Sequence, residues 1–232
     1  MIVLTYVDDC IIIGPSMVSI DAFVKLMEVG PKNFMLTNEG NIDKFLWTEI
    51  TYLDHRGFKK LHPFLIEKII LFPKIDLNDY GVGMNSKSTP VGKPLLYKDL
   101  SRTTRKETWK YRTEFGMLTY LQGNSRPEMS MVVHQTEQFF KKPNLSHKQA
   151  IKQLGQYLLN TKIDGIVYNP YITKELEFYV DADFSVVWQK QYTSNANNVM
   201  SRTGMAIMYT NCPIYCCSAL QTDIALSTAE VK

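Results

Sequence analysis

Two adjacent aspartates near the start of the chain, Asp8 and Asp9, have the residue type and the setting of a metal-binding pair. Apolar, β-branched runs stand on both sides of them, Ile2 to Val7 and Cys10 to Ile13. Runs of this length predict two buried strands that meet in a hairpin at the aspartates. Rigid, solvent-facing carboxylates bind divalent cations, and a pair of such ions supports nucleotidyl transfer. A bare Asp-Asp pair is otherwise typical of a surface turn.

A second group of acids lies near the other end of the sequence. Asp181 and Asp183 close an alternating segment, residues 175–184, and side chains two residues apart on a strand share a face. Glu230 follows two further strand-like segments. Metal-assisted hydrolysis of a phosphodiester needs several carboxylates around two ions. The aspartates therefore predict a site for Mg²⁺, with Mn²⁺ as a possible substitute, although a solvated strand end has the same composition.

Composition and cysteine spacing bound the class of protein. The net charge of +3 permits a nucleic-acid partner without requiring one. The four cysteines, Cys10, Cys212, Cys216 and Cys217, have neither a disulfide-framework spacing nor a zinc-ligand spacing. No apolar run approaches the roughly 20 residues of a membrane span, and the N-terminus has no cationic segment before its apolar run. We expect a protein of the cytoplasm or nucleus that is not secreted and does not bind membranes.

Hydrophobic periodicity divides the first half of the chain. Residues 17–29 predict a helix with Val18, Phe23, Leu26 and Met27 facing inward. Residues 34–54 alternate like strands, with Gly40-Asn41 as the turn. Residues 58–72 have helical spacing, and the stretch from Asn78 to Leu96 is a candidate linker rich in Gly, Asn, Ser and Pro.

Three helices and then three strands are predicted in the second half. The helices cover residues 106–122, a segment that starts with a capping box at Ser125, and a segment that starts at Ser146. Each has an apolar stripe at helical spacing: Trp109, Phe115, Leu118 and Leu121 in the first, Met129, Val132, Val133, Thr136, Phe139 and Phe140 in the second, and Ala150, Ile151, Leu154, Tyr157 and Leu158 in the third. The strands cover residues 175–184, 203–210 and 213–220, with Asn211-Cys212 between the last two, and a helix start follows at Ser227.

Basic residues cluster on two of these helical stretches. The first cluster is Arg102, Arg105, Lys106, Lys110 and Arg112, and the second is Lys141, Lys142, Lys148, Lys152 and Lys162. Such clusters grip nucleic-acid phosphates without reading sequence, but a solvated helix face has the same composition. His134 and His147 have no carboxylate at ligand spacing, which indicates structural roles.

These motifs, taken in order, resemble one family. YVDD between apolar strands resembles the palm motif of reverse transcriptases, and FMLTNEGNIDKFL (34–46) resembles the stretch that follows it in copia-type retrotransposon Pol polyproteins. Residues 61–70 resemble the next helix of that family and residues 86–95 its Thr-Pro linker. Residues 111–165 resemble the family nearly end to end, and YVDADF (179–184) and ALSTAEVK (225–232) resemble the start of its RNase H domain.

The resemblance implies an α+β fold in four parts. Residues 1–85 would hold the truncated palm hairpin and the start of the thumb, 86–98 a linker, 99–165 a helical thumb and connection region, and 166–232 a partial RNase H-like antiparallel sheet. The implied parent activity is Mg²⁺-dependent, RNA-directed DNA synthesis from deoxynucleotides on a primer-template, with hydrolysis of the RNA in RNA/DNA hybrids. Asp8, Asp9 and Asp181 would be metal ligands, and Glu230 a further candidate catalytic acid.

Departures from the family pattern predict that this chain alone is inactive. The first polymerase aspartate of the family lies on a strand that would precede Met1, and Lys232 stands where the second glutamate of the RNase H motif is expected. Trp47 occupies a position that is usually glycine in the family. The alternative hypothesis is a non-catalytic nucleic-acid-binding remnant, or a degenerate element without a selected function.

Overall fold

A computed structural model describes residues 1–31, 33–54, 57–71, 89–90, 111–139, 143–170, 175–184 and 199–230. These residues form five α-helices and antiparallel sheets, in agreement with the predicted α+β class. Their contacts divide the chain into two compact units, Met1–Phe45 and Leu46–Lys232. Within the described residues, no helix combines the length and the apolar character that crossing a membrane requires. The predicted linker, residues 86–98, lies outside the description except for Thr89 and Pro90.

The first unit opens with the predicted hairpin. Strands β1 (Ile2–Tyr6) and β2 (Asp9–Ile13) pair antiparallel, with Ile2 opposite Ile13 and Tyr6 opposite Asp9. The prediction that these strands are buried is wrong, because every residue of β1 is exposed. The sheet has two strands, and a lone pair of strands leaves apolar side chains open to solvent.

Helix α1 (Met17–Val29) has the predicted bounds, and the Ser16 hydroxyl accepts a hydrogen bond from the Ser19 amide at its start. Its predicted inward face is only partly correct. Phe23 and Met27 are half-buried, but Val18 is 78% exposed and Leu26 is 68% exposed. None of the residues of α1 is fully buried. Part of its apolar face is therefore exposed to solvent. Strand β3 (Lys44–Phe45) ends the unit.

In the second unit, strand β5 (Phe58–Leu61) lies between β4 (Thr48–Tyr52) and β6 (Ile166–Tyr168), antiparallel to both. Two predictions fail here. The tight turn falls at Leu46-Trp47 instead of Gly40-Asn41, and residues 58–61 form a strand instead of the first turn of a helix. Pairing on both sides of β5 outweighs the helical spacing, and Pro63 starts α2 (Pro63–Leu71).

Gly165 is required by the approach of β6 to β5. A Cβ at this position would lie 2.2 Å from the backbone carbonyl oxygen of Lys60. Only glycine lets the two backbones come this close. The strand that follows it pairs with a segment that lies, in the sequence, on the far side of α2 and three further helices.

Those helices supply the core. They are α3 (Tyr111–Asn124), α4 (Ser130–Glu137) and α5 (Leu145–Asn160), with a 3₁₀ turn (Pro127–Met129) before α4. The predicted apolar stripes are confirmed, since Leu118, Leu121, Leu154 and Leu158 are all fully buried. They pack with residues of α2 into one apolar cluster. Replacing such a leucine with alanine costs roughly 2–5 kcal/mol in well-packed cores.

The capping box predicted at Ser125 is wrong. Arg126 is the N-cap of the 3₁₀ turn, and no side-chain hydrogen bond caps it. The Ser125 hydroxyl bonds to a histidine ring, and Glu128 pairs with Arg126. Ser125 and Glu128 therefore bond to these partners instead of capping the helix. Helix α5 has the box that α4 lacks, with Asn144 as the N-cap and His147 at the third helical position.

The second unit ends with a three-stranded antiparallel sheet of β7 (Leu176–Asp183), β8 (Arg202–Tyr209) and β9 (Cys212–Leu220), with β8 in the centre. The predicted sheet, with Asp181 on its first strand, is confirmed. The turn between β8 and β9 lies at Thr210-Asn211, one residue earlier than predicted, and both residues have positive φ. At Ser227 the structure has only a 3₁₀ turn, Thr228–Glu230, where a helix start was predicted.

Candidate functional site

The apex of the first hairpin presents Asp8 and Asp9 to solvent. Val7 and Asp8 form the turn, with Val7 at a φ of 51°, and Asp9 is the first residue of β2. Both aspartates are exposed. Because Asp8 stands in the turn and Asp9 on the strand, the two carboxylates are positioned by different elements.

The described residues do not by themselves fit a magnesium centre. Among them, no group of three or more histidine, cysteine, aspartate or glutamate side chains is close enough to share a metal ion. A two-metal site requires several carboxylates around its ions, so the hairpin contributes at most part of one. The same limit applies to Asp181.

Asp181 and Asp183 share one face of β7, as predicted, and both are exposed. Asp181 lies opposite Gly204 and Asp183 lies opposite Arg202 on β8. The Arg202 side chain is buried, and burial lowers the pKa of its guanidinium while the charge of Asp183 acts in the opposite direction. A cation therefore stands beside this acidic strand end, where it partly neutralises the field that would attract a metal ion.

Arg202 also sets the tautomer of His134. Its Nη1 donates to His134 Nδ1 at 3.1 Å and to the Ser218 hydroxyl at 3.2 Å. An accepting Nδ1 leaves the proton of a neutral imidazole on Nε2, which lies 3.9 Å from a Glu137 carboxylate oxygen. Burial and the Arg202 charge lower the pKa of His134, and Glu137 opposes them. His134 thus joins α4 to the C-terminal sheet, in agreement with the predicted structural role.

Glu230, the remaining candidate acid, is occupied in local structure. Its Oε2 accepts a hydrogen bond from the Leu226 amide at 2.8 Å, across the 3₁₀ turn that contains it. The side chain is exposed. Lys232, predicted to stand at a ligand position, lies outside the described residues.

Three of the predicted nucleic-acid-binding residues are described. Arg112 is exposed at the start of α3, and Lys148 and Lys152 lie one turn apart on α5 with half-buried side chains. Lys162, from the second cluster, forms an ion pair with Glu67. The other predicted contacts, Arg102, Arg105, Lys106, Lys110, Lys141 and Lys142, lie outside the described residues.

A buried histidine that the sequence analysis did not identify connects the sheet to the helices. His62 is fully buried, with Nδ1 2.8 Å from the Ser125 hydroxyl and Nε2 3.0 Å from the Thr48 hydroxyl. Burial, helped by the charge of Lys60, lowers the pKa of His62 to about 4. Ser125 is also buried, so a substrate cannot reach this Ser-His pair, and we assign it a structural role.

Arg126 forms a second buried polar centre. Its guanidinium donates to Glu128 at 2.6 Å and, through both terminal nitrogens, to the carbonyl and hydroxyl oxygens of Thr161 at 2.9 and 2.7 Å. It also lies 5.2 Å from the centroid of the Tyr157 ring. These bonds tie the start of α4 to the end of α5. The Arg126-Pro127-Glu128 segment is the sequence signal for this centre, but the same residues also fit the start of a capped helix.

Comparison with known proteins identifies similar sequences in plant transposons. Over 243 residues, which include the whole of this chain, it is 26% identical to the retrovirus-related Pol polyprotein from transposon TNT 1-94 of Nicotiana tabacum. It is 28% identical over 145 residues to the corresponding polyprotein from transposon RE1 of Arabidopsis thaliana, and 27% identical over 132 residues to that from transposon RE2. These matches cover 62% and 57% of this chain.

The predicted resemblance to copia-type Pol polyproteins is thereby confirmed, and it extends along the whole chain. The chain spans 17% of the tobacco polyprotein and 9% and 8% of the two Arabidopsis polyproteins. No protein-family model matches the chain. No solved structure matches it significantly.

Proposed function

We propose that this chain is the part of a retrotransposon Pol polyprotein that runs from the reverse transcriptase palm into the RNase H domain. The observation that carries the proposal is the similarity to the tobacco polyprotein over the whole chain, with YVDD at its start. The hairpin geometry supports it, because the turn and the first residue of β2 present Asp8 and Asp9 to solvent. The sheet with Asp181 on its first strand supports the RNase H assignment.

In the intact polyprotein, the proposed activity is Mg²⁺-dependent, RNA-directed DNA synthesis on a primer-template. Asp8 and Asp9 would supply some of the carboxylates of the polymerase site, and Asp181 would supply one of the RNase H site. The chain alone is proposed to be inactive, because its described residues assemble no group of three metal-binding side chains. A carboxylate pair without further ligands lacks the ion geometry that in-line displacement at phosphorus requires.

A primer-extension assay tests this proposal. The purified chain, given an RNA template, a DNA primer, deoxynucleotides and Mg²⁺ or Mn²⁺, is expected to leave the primer unextended. The matched variant is Asp8→Asn, which keeps the size of the side chain and removes its charge. Extension by the natural chain that disappears in this variant would show a complete site and would contradict the proposed inactivity.

A second candidate function is nucleic-acid binding without catalysis. Two observations favour it. The described residues form no group of three metal-binding side chains, and the helices present exposed or half-buried cations, Arg112, Lys148 and Lys152. Lysine and arginine contacts to phosphates give binding that is insensitive to sequence and steeply dependent on salt. A labelled RNA/DNA hybrid titrated at two salt concentrations should bind weakly at low salt and about tenfold more weakly at the higher one. Tight binding that persists at high salt would contradict this function.

A further inference from the structure

A small apolar cleft opens between the turn before β4 and the helices α2 and α3. Its volume is about 300 Å³, at the lower end of the range of ligand pockets. Its walls include Trp47 from the turn, Phe64 and Lys68 from α2, and Gly116, Met117 and Tyr120 from α3. All of these residues belong to the second compact unit.

The aromatic side chains of the cleft are stacked and yet open to solvent. The rings of Trp47 and Phe64 have centroids 5.0 Å apart and planes inclined by 19°, while 63% of Trp47 and 52% of Phe64 is exposed. Tyr120 is also exposed, and its ring meets the buried His62 ring edge-on. The Trp47–Phe64 stack therefore offers further aromatic surface to a ligand, and Tyr120 connects the cleft to the buried His62.

The backbone holds the indole in place at some conformational cost. Trp47 has a φ of 68°, in the left-handed region that favours glycine, and Leu46 before it has a φ of 49°. Bulky residues in this region are uncommon, and those that occur cluster at functional sites. A glycine would satisfy this turn without strain, but it would remove one face of the cleft.

The cleft carries positive charge at its edge. The Lys68 ammonium lies 5.8 Å from the centroid of the Trp47 ring. Within the described part of the chain it forms no ion pair, whereas its neighbour Glu67 is bound to Lys162. The cleft thus combines planar aromatic surface with a cation, and its described walls contribute no carboxylate.

We propose that this cleft binds unpaired bases of single-stranded nucleic acid, with a base stacked beside Trp47 and Phe64 and a neighbouring phosphate on Lys68. Stacking on aromatic side chains beside a cationic group is the general means by which proteins hold single strands without reading their sequence. A duplex cannot use the cleft in this way, because the faces of its bases are already stacked on one another. The inference rests on the proposed function in that nucleic acid is the ligand, but it adds a preference for single strands.

The test compares a labelled oligothymidine of about 12 nucleotides with a duplex of equal length, bound to the full chain at low salt. Trp47→Ala should weaken binding of the single strand by about 5- to 160-fold, the range expected from base-stacking energies of about 1–3 kcal/mol. Duplex binding should change less than twofold. Phe178→Ala is the matched control, because Phe178 is an equally exposed aromatic residue on β7.

Lys68→Ala tests the phosphate contact. It should weaken binding of the single strand by severalfold and lower the slope of log affinity against log salt by about 0.7, as the loss of one phosphate contact does. The control is Lys59→Ala on β5, which lies outside the cleft walls. An unchanged salt slope for Lys68→Ala would contradict the proposed contact between Lys68 and a phosphate.

Gly116→Leu keeps the test valid if Trp47→Ala fails to fold. A Cβ at Gly116 meets open space, so a leucine there fills the cleft without a backbone clash, and it should favour the helix. Single-strand binding should fall at least tenfold while thermal stability stays equal or rises. Gly123→Leu, on the same helix and with equally open space, controls for helix propensity.

Two outcomes would overturn the inference and leave the proposed function standing. In the first, single strand and duplex bind alike, and neither depends on Trp47 or Gly116. In the second, Gly116→Leu abolishes binding of an apolar dye but not of the oligothymidine, which would identify a protein-docking cleft. If neither nucleic acid binds at low salt, the inference fails together with the second candidate function, nucleic-acid binding without catalysis.

Discussion

The Nδ1 atom of His62 lies 2.8 Å from the hydroxyl oxygen of Ser125, and both side chains are buried. This contact joins residues that are 63 positions apart, between the end of β5 and the segment that leads into α4. With Thr48 on the other ring nitrogen, His62 has a partner at both polar atoms. A neutral imidazole satisfies this arrangement, because one nitrogen donates a proton and the other accepts one.

Acid should destabilise the fold through His62. Burial lowers its pKa from 6.5 to about 4, so the contribution of neutral His62 is complete above the unfolded-state value and is lost as the pH falls towards 4. We expect the free energy of unfolding to fall by on the order of 3 kcal/mol across this window. Urea denaturation at several pH values measures it, and His62→Gln should flatten the dependence. An equally steep curve for the variant would show that other groups are responsible.

Arg126→Lys should cost about 2–4 kcal/mol of stability, even though the charge is kept. Lysine cannot donate simultaneously to Glu128 and to both oxygens of Thr161, so partly buried acceptors lose their partners. Chemical denaturation should show a lower midpoint with an unchanged slope. Arg112→Lys, at an exposed position of α3, is the matched control and should change stability by less than about 0.5 kcal/mol.

The turn between β8 and β9 offers a stabilising change. Thr210 and Asn211 have φ angles of 49° and 65°, and a β-branched threonine is poorly suited to the first of these. The double variant Thr210→Asn, Asn211→Gly supplies the residues that such two-residue hairpins favour. It should raise stability by about 0.5–1 kcal/mol in a thermal melt. Thr222→Asn, exposed beyond β9, should have no effect, and a lower melting temperature for the double variant would contradict the assigned turn.

Amide hydrogen exchange should be slower in the helical core than at either end of the chain. The slowest amides are expected in the helical core, residues 111–139 and 143–160, because the fully buried side chains concentrate there. Faster exchange is expected in residues 1–14, where β1 is exposed along its length, and in residues 203–230. Equal protection in all three regions would mean that each end is as stable as the core.

Hydrophobic periodicity correctly predicted the helices and strands whose pattern is repeated within a single segment of the chain. The first four residues of the stripe that begins at Met129 are buried in the 3₁₀ turn and α4, and the alternation of residues 175–184 predicted β7. Both patterns are repeated within a short segment of the chain. Likewise, the apolar runs around Asp8-Asp9 predicted the hairpin. The family motifs predicted the similarity to Pol polyproteins.

Features that depend on distant partners could not be predicted in this way. Phe58 to Leu61 has helical spacing with the residues after it, but it pairs with β4 and with β6, and β6 is distant in sequence. The cleft is formed by Trp47, Phe64 and Tyr120, whose spacing in the sequence has no period. Only the unusual tryptophan gave a signal there. Whether Asp8, Asp9 and Asp181 act in catalysis stays a prediction.

The pairing of β5 with β6 has a consequence for how the protein is made. About one hundred residues separate the two strands, so one edge of β5 has no partner until the chain beyond Gly165 has been synthesised. At roughly 5–20 residues per second, that interval is on the order of 5–20 s. During this time β4 can already pair with one edge of β5. The other edge of β5 is open to any strand that reaches it before β6 does. During synthesis this sheet therefore passes through a stage in which β5 can pair with a wrong strand, and the folded structure shows no trace of that stage.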